Sequence, residues 1–219
     1  MLIDDIDFAA LYQQQLRLAK RTEKSPEYWD GRAQEMSAIC ASPQSPYLQQ
    51  LLAKIDFTGA STLLDVGCGP GTVCLNAASR LEQVYGIDYS SGMLEAAAQK
   101  AKVMGVNNVT LLQRAWEECW DELPVCDIAV ASRSTLVGDL RDAMFKLNQQ
   151  ARLRIYTTHT VTGRFGDPQP GEEEKPELPN YIYAVNVLYQ MGIQARVDFI
   201  RHPAARDWAL VSWDRVSLT

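Results

Sequence analysis

A chain of 219 residues, 47% apolar and 22% charged, can bury one proper core and is composed like an ordinary globular protein. Its net charge of −6 disfavours a nucleic-acid backbone as main partner, since phosphate binding calls for a basic face. No apolar run approaches the roughly 20 residues of a membrane span, and the start MLIDDIDFAALYQQQ lacks the basic and long apolar segments of a secretory signal, so a cytoplasmic protein without membrane contact is expected.

The first third reads helical. The stretch DDIDFAALYQQQLRLAKR opens with acids and closes with bases, the order a helix dipole favours. SPEYWDGRAQEMSAIC offers Ser25 as N-cap and Pro26 at the first helical position, and SPYLQQLLAKID repeats that start at Ser45 and Pro46. From Ser61 the pattern changes to short apolar runs alternating with helical ones. STLLDV, VYGID, NVTLLQ, VCDIAVAS and RLRIYTT read as strands; TVCLNAASRLE, SGMLEAAAQKAKVMG and DLRDAMFKLNQQA read as helices. Strands alternating with helices imply βαβ units and a mostly parallel sheet covered on both faces.

After Thr158, HTVTGRFGDPQPGEEEKPELP reads as a long exposed loop, either a lid or a disordered connector. Asn180 then caps a helix, YIYAVNVLYQM, that ends at Gly192. IQARVDFI and WALVSWDRV follow with no helix between them, and two such strands pair antiparallel. The expected organisation is a helical N-terminal segment, 1–58, acting as a cap, and a sheet domain, 59–219.

The cysteines (Cys40, Cys68, Cys74, Cys119, Cys126) form no CxxC pair, and the histidines, His159 and His202, lie far apart. No metal-ligand spacing results, and the thiols read as free and buried.

LLDVGCGPG carries the chemistry. A strand that ends in a glycine-rich turn and opens a helix is a recurrent nucleotide or anion site, because glycine permits φ > 0 and close approach of a ligand to the backbone. In an open α/β sheet the crevice lies beyond the carboxyl ends of the strands. That places Asp65, Gly67, Gly69 and Gly71 around one pocket, with Asp88 at the end of the next strand. There its carboxylate can accept two hydrogen bonds from a ribose diol. The spacing is GxGxG and not the dinucleotide GxGxxG, and no GK[ST] follows. Asp65 would repel a pyrophosphate but suits a ligand bearing an ammonium group.

LLDVGCGPGT with GIDYS and GMLEAA resembles the class I S-adenosylmethionine-dependent methyltransferases, strongly over Ser61 to Thr158, and the closing hairpin agrees with that family's seventh, antiparallel strand. The resemblance implies a Rossmann-like, mostly parallel seven-stranded sheet with helices on both faces, and S-adenosylmethionine as cofactor. By the same resemblance Asp65 to Gly71, including Cys68, line the methionine moiety, Asp88 holds the ribose, and Tyr89 and Met93 pack on the adenine. RAWEE matches the segment at the adenine edge, which brings in Ala115 and Trp116, the latter also readable as a core tryptophan. Ser132 falls near the reactive methyl.

EYWDGRA resembles segments that fold over the cofactor in such enzymes, so that Arg32 pairs with its carboxylate while Tyr28 or Trp29 closes the pocket. The same residues also read as a hydrophobic staple and a solvated arginine. Arg133 and His159 are the best-placed polar candidates toward an acceptor, His159 reading equally as a base or as a structural histidine. ASRS stands where the family's amino-methylating enzymes carry [DNS]PP[YF] and where aminopropyl transferases place an acid, which leaves a small-molecule acceptor as the expected partner of a monomer or homodimer. The alternatives are a non-catalytic module that binds the cofactor, and a dinucleotide-dependent oxidoreductase, which the glycine spacing disfavours.

Overall fold

A computed structural model describes residues 2–39, 45–164, 176–202 and 205–218. Seven strands form one sheet: β1 (Thr62–Val66), β2 (Gln83–Asp88), β3 (Val109–Gln113), β4 (Cys126–Ala131), β5 (Ala151–Thr160), β6 (Arg196–Ile200) and β7 (Trp208–Asp214). Their order is β3-β2-β1-β4-β5-β7-β6, with β7 antiparallel to both neighbours and every other pairing parallel. The expected α/β class, parallel sheet and antiparallel closing hairpin are all present.

The strands sort their side chains by the period of two. Leu64, Val66, Ala129, Ala131, Ile155, Val211 and Trp213 enter one core, under α1 (Phe8–Leu18), α7 (Leu140–Gln150) and α8 (Tyr181–Gln190). Leu63, Ile128, Val130, Tyr156 and Leu210 enter the other, with α4 (Pro46–Lys54), α5 (Cys74–Ala77) and the inner side of α6 (Ser91–Met104). Both faces are therefore covered, which is why the middle of β1 and β4 reads as near-continuous apolar runs, Leu63–Leu64 and Ile128–Ala131. The N-terminal segment shares these cores: Tyr12 of α1 lies in the first, donating its hydroxyl to the Val137 carbonyl at 2.8 Å, and Leu48 and Leu51 of α4 lie in the second. Among the described residues no helix is long and apolar enough to cross a membrane.

Three helices differ from their expected extent. DDIDFAALYQQQLRLAKR is α-helical only as α1, capped by Asp7 after a separate 3-10 turn, Ile3–Asp5. SPEYWDGRAQEMSAI breaks into α2 (Pro26–Asp30) and α3 (Ala33–Ile39), because Asp30 is captured by α6. Its Oδ1 accepts from the Ser90 hydroxyl at 2.6 Å and from the Gly92 N–H at 2.8 Å. TVCLNAASRLE yields only the four-residue α5 and a 3-10 turn, Ala78–Arg80, before the chain must enter β2. Cys40 lies outside the described residues.

Candidate active site

β1 and β4 are neighbours in mid-sheet, and from them the chain proceeds in opposite directions, to β2 on one side and β5 on the other. A cleft of about 440 Å³ opens at their carboxyl ends, as expected for the point where strand order reverses. It is walled by the glycine loop, by the ends of β2 and β4, by the segment after β3, and by residues of the N-terminal helices.

The glycine loop is fixed from below and from both sides. Asp65, 1% exposed, accepts from the Cys74 N–H at 2.9 Å. Burial pushes its pKa up to about 7, against that hydrogen bond and with help from the nearby Asp88 charge. Gly67 has φ +67°, and a Cβ there would sit 2.4 Å from the Cβ of Ser134. Ser134 in turn donates its hydroxyl to the Val66 carbonyl at 2.6 Å, so the loop after β4 is clamped onto the loop after β1. Gly69 has φ +52°, nothing near its missing Cβ, and an N–H that donates to Asp88 Oδ2 at 2.9 Å. Cys68 lies on the wall beside it. Gly71 does not: a Cβ there would meet Leu75 at 2.8 Å and Ala97 at 3.3 Å, so this glycine lets α6 pack close rather than facing the cleft.

Asp88 caps β2 with its second oxygen bonded to the Ser90 N–H at 2.9 Å, and burial raises its pKa despite these donors. Each oxygen keeps a lone pair for a ligand. Tyr89 and Met93 lie on the same wall, Tyr89 donating its hydroxyl to the Lys24 carbonyl at 2.8 Å. Ala115 and Trp116 follow. Trp116 combines its two readings: it lines the cleft, and it also lies against Trp120 of the core with ring centroids 5.1 Å apart.

At the end of β4 the Ser132 hydroxyl is 2.7 Å from the Tyr47 hydroxyl, which is 3.0 Å from that of Thr158. Arg133, with φ +59°, donates its N–H to the Thr158 hydroxyl at 2.8 Å and lays its guanidinium 4.4 Å from the Tyr47 ring centre. Trp208 of β7 stands edge-on to the same ring and closes this end of the cleft.

Besides Gly71, three expected residues lie elsewhere. The Arg32 guanidinium is held by both Glu35 oxygens, at 2.7 and 3.0 Å, and by the Tyr28 hydroxyl at 2.9 Å, away from the cleft wall. Tyr28 is likewise outside it; Trp29, stacked edge-on to Tyr28, reaches it. His159 belongs to β5, which runs two residues further than expected. Its ring nitrogens face the hydroxyls of Thr135 at 3.2 Å and Thr157 at 2.9 Å, and burial pushes its pKa down to about 3. It is a neutral structural histidine, off the cleft wall and without a free nitrogen for proton transfer. Of the long loop, Arg164 pairs with Glu177 at 2.8 Å and Leu178 bonds Gly163, while Phe165 to Lys175 lie outside the described residues.

The wall also contains residues that no sequence pattern singled out: Arg21, Glu23 and Lys24 after α1, Met36, Arg114, and Trp208. They arrive by tertiary packing, except Arg114, which opens the recognised segment RAWEE.

Residues 58–160 match the family described as a methyltransferase domain. An uncharacterized protein of Haemophilus influenzae is 40% identical over 203 residues, covering 91% of this chain and 76% of its own. The crystal structure of an S-adenosylmethionine-dependent methyltransferase from Aquifex aeolicus superposes with a TM-score of 0.64 at 19% identity, over 89% of this chain and 100% of that one. Magnesium protoporphyrin IX methyltransferase from Synechocystis PCC 6803, solved with bound S-adenosylhomocysteine, gives 0.58 at 16% identity over 95% and 96%. With the glycine loop and Asp88 placed at the strand reversal, residues 58–160 form a methyltransferase domain on the fold of the S-adenosylmethionine-dependent methyltransferases.

Proposed function

We propose that this methyltransferase acts on a small-molecule acceptor, with the cofactor lying across the carboxyl ends of β2, β1 and β4. The observation that carries the placement is the Asp88 carboxylate, tied to the Gly69 N–H with lone pairs left for a ribose diol. On this reading the Gly67–Gly69 backbone and Asp65 take the methionine end. Tyr89, Met93, Ala115 and Trp116 take the adenine, and Trp29 covers the cofactor from the N-terminal side. The chemistry supplied by S-adenosylmethionine is an electrophilic methyl on a sulfonium, whose departure needs no acid. The chain's own task is positioning, from which about 7–11 kcal/mol is available. Trp29, Met36 and Trp208 exclude water from the cleft. With His159 neutral and buried, the hydroxyls of Ser132 and Tyr47 are the polar groups nearest the end of β4, and they orient rather than deprotonate, since burial raises the Tyr47 pKa.

A small acceptor is supported by the size of the cleft, which is in the range filled by compact ligands, and by its cover of N-terminal residues. The thiols Cys68, Cys74, Cys119 and Cys126, all unpaired, fit a reducing cytoplasm. The test supplies methyl-labelled cofactor and an unfractionated cell extract, then separates the labelled products by size. Label in the low-mass filtrate is expected; label retained on protein or nucleic acid would overturn the small-molecule reading.

A further inference from the structure

The acceptor end of the cleft has an unusual charge arrangement. Arg133 follows β4 directly, in a left-handed backbone conformation that side chains other than glycine rarely adopt. Its N–H is held by Thr158 and its guanidinium lies over the Tyr47 ring. Tyr47 is itself locked by Ser132, Thr158 and the edge of Trp208. The cation is therefore supported on a rigid aromatic base, yet among the described residues no carboxylate pairs with it. The nearest explanation for an exposed guanidinium on a cleft wall, carried by a left-handed backbone and stacked on a buried tyrosine with no carboxylate partner among the described residues, is an anion that arrives with a ligand.

The position of Arg133 says which ligand. If the adenosine lies over β2 and β3, the methyl must point past β4, toward β5 and β7. Arg133 and Trp208 line that side, with the buried Tyr47 ring in contact with both. We infer that the methyl acceptor carries an oxyanion, a carboxylate or a phosphate, bound by the Arg133 fork, and a flat apolar body seated between Trp208, Leu136 and Val137. This rests on the placement of the cofactor proposed above. It narrows the acceptor from any small molecule to a small organic anion.

The test titrates benzoate, phenyl phosphate and neutral benzyl alcohol into the protein saturated with S-adenosylhomocysteine, using wild type, Arg133→Gln and Arg133→Gly. Glycine takes the left-handed φ without strain, so the second variant removes the guanidinium from a backbone that is at least as well folded. At least one anion should bind at least tenfold more tightly than benzyl alcohol, the phosphate and carboxylate arms telling which oxyanion is preferred. Both variants should lose that preference by tenfold or more while their affinity for S-adenosylhomocysteine stays within twofold. Equal anion binding by the variants, or no preference for anions in wild type, overturns the inference. If both variants instead lose S-adenosylhomocysteine by a similar factor, Arg133 holds the cofactor's own carboxylate and the acceptor assignment falls. Failure of wild type to bind S-adenosylhomocysteine would remove the cofactor placement, and this inference with it.

Discussion

Asp88 Oδ2 accepts the Gly69 N–H at 2.9 Å, so the acid at the end of β2 and the loop at the end of β1 form one unit before any ligand arrives. The relationship explains why the two motifs occur together. Glycine at 69 turns its N–H outward with φ +52°, and the carboxylate receives it while keeping capacity for a diol. Asp88→Ala should therefore weaken S-adenosylhomocysteine binding at least tenfold, since loss of a charge-assisted hydrogen bond is worth roughly 1.5–3 kcal/mol. Calorimetric titration checks it, with a thermal melt to show that the variant is folded. Unchanged affinity would remove Asp88 from the ribose.

The glycines at 67 and 69 should fail differently. A Cβ at Gly67 would overlap Ser134, whereas one at Gly69 meets nothing in the protein. Gly67→Ala is expected to lower stability, and adding Ser134→Gly should restore part of the loss, a coupling that double-mutant cycles detect. Gly69→Val should fold with a penalty of roughly 1–2 kcal/mol for its left-handed backbone yet lose cofactor binding, because its side chain enters the space the ligand needs. Thermal melts and titrations on the same samples separate the two; a Gly69→Val variant that binds normally would place the cofactor elsewhere.

How much of this was legible follows from the range of each interaction. The strands, the reversal point, the glycine loop and Asp88 are written in short stretches, as apolar runs ending in glycine or acid. Arg32 was expected at the cofactor because it lies in a suggestive segment, but Glu35 at i+3 captures it locally. Two of the cations that do reach the wall, Arg21 and Lys24, follow a helix whose docking depends on Tyr12 meeting Val137, 125 positions away. His159 was misplaced for a similar reason: β5 continues to Thr160 because Trp208 of β7 pairs with it there, and no local pattern announces that partner. Tyr47 and Trp208 meet beyond the end of β4 across most of the chain.

The N-terminal segment proposed to cover the cofactor is anchored by Asp30, whose Oδ1 takes both the Ser90 hydroxyl and the Gly92 N–H at the start of α6. These bonds hold the Asp30 pKa below its ordinary value, and they fix the position of the adjacent Trp29. Asp30→Ala should release α2 without unfolding the sheet. Hydrogen exchange of residues 28 to 33 should accelerate in the variant and slow on addition of S-adenosylhomocysteine to wild type, with affinity falling severalfold. If those amides gain no protection in wild type while residues 67 to 71 do, the N-terminal segment does not cover the ligand.

Asp65 makes binding depend on pH. Burial raises its folded pKa to about 7 from an ordinary 3.8. Its contribution to the stability of the unliganded protein is therefore fully present below about pH 4 and is lost as pH rises through 7. Each pH unit between the two values corresponds to about 1.4 kcal/mol. The ligand changes that balance, because an ammonium and a sulfonium beside Asp65 favour its carboxylate form. Binding should then expel a proton, and affinity should rise with pH up to about 7 and level off above it. The other carboxylate nearby, Asp88, also has a raised pKa, but its oxygens are bonded to the Gly69 and Ser90 N–H groups and its expected partner, a diol, is neutral. Titrations at pH 6 in buffers of different ionisation enthalpy count the protons released. A substantial fraction of one proton is expected for wild type and nearly none for Asp65→Asn, in which the amide oxygen can still accept the Cys74 N–H at the base of the loop. Release that persists in Asp65→Asn but disappears in Asp88→Asn would move the titrating group from β1 to β2 and take the cofactor's cationic end with it.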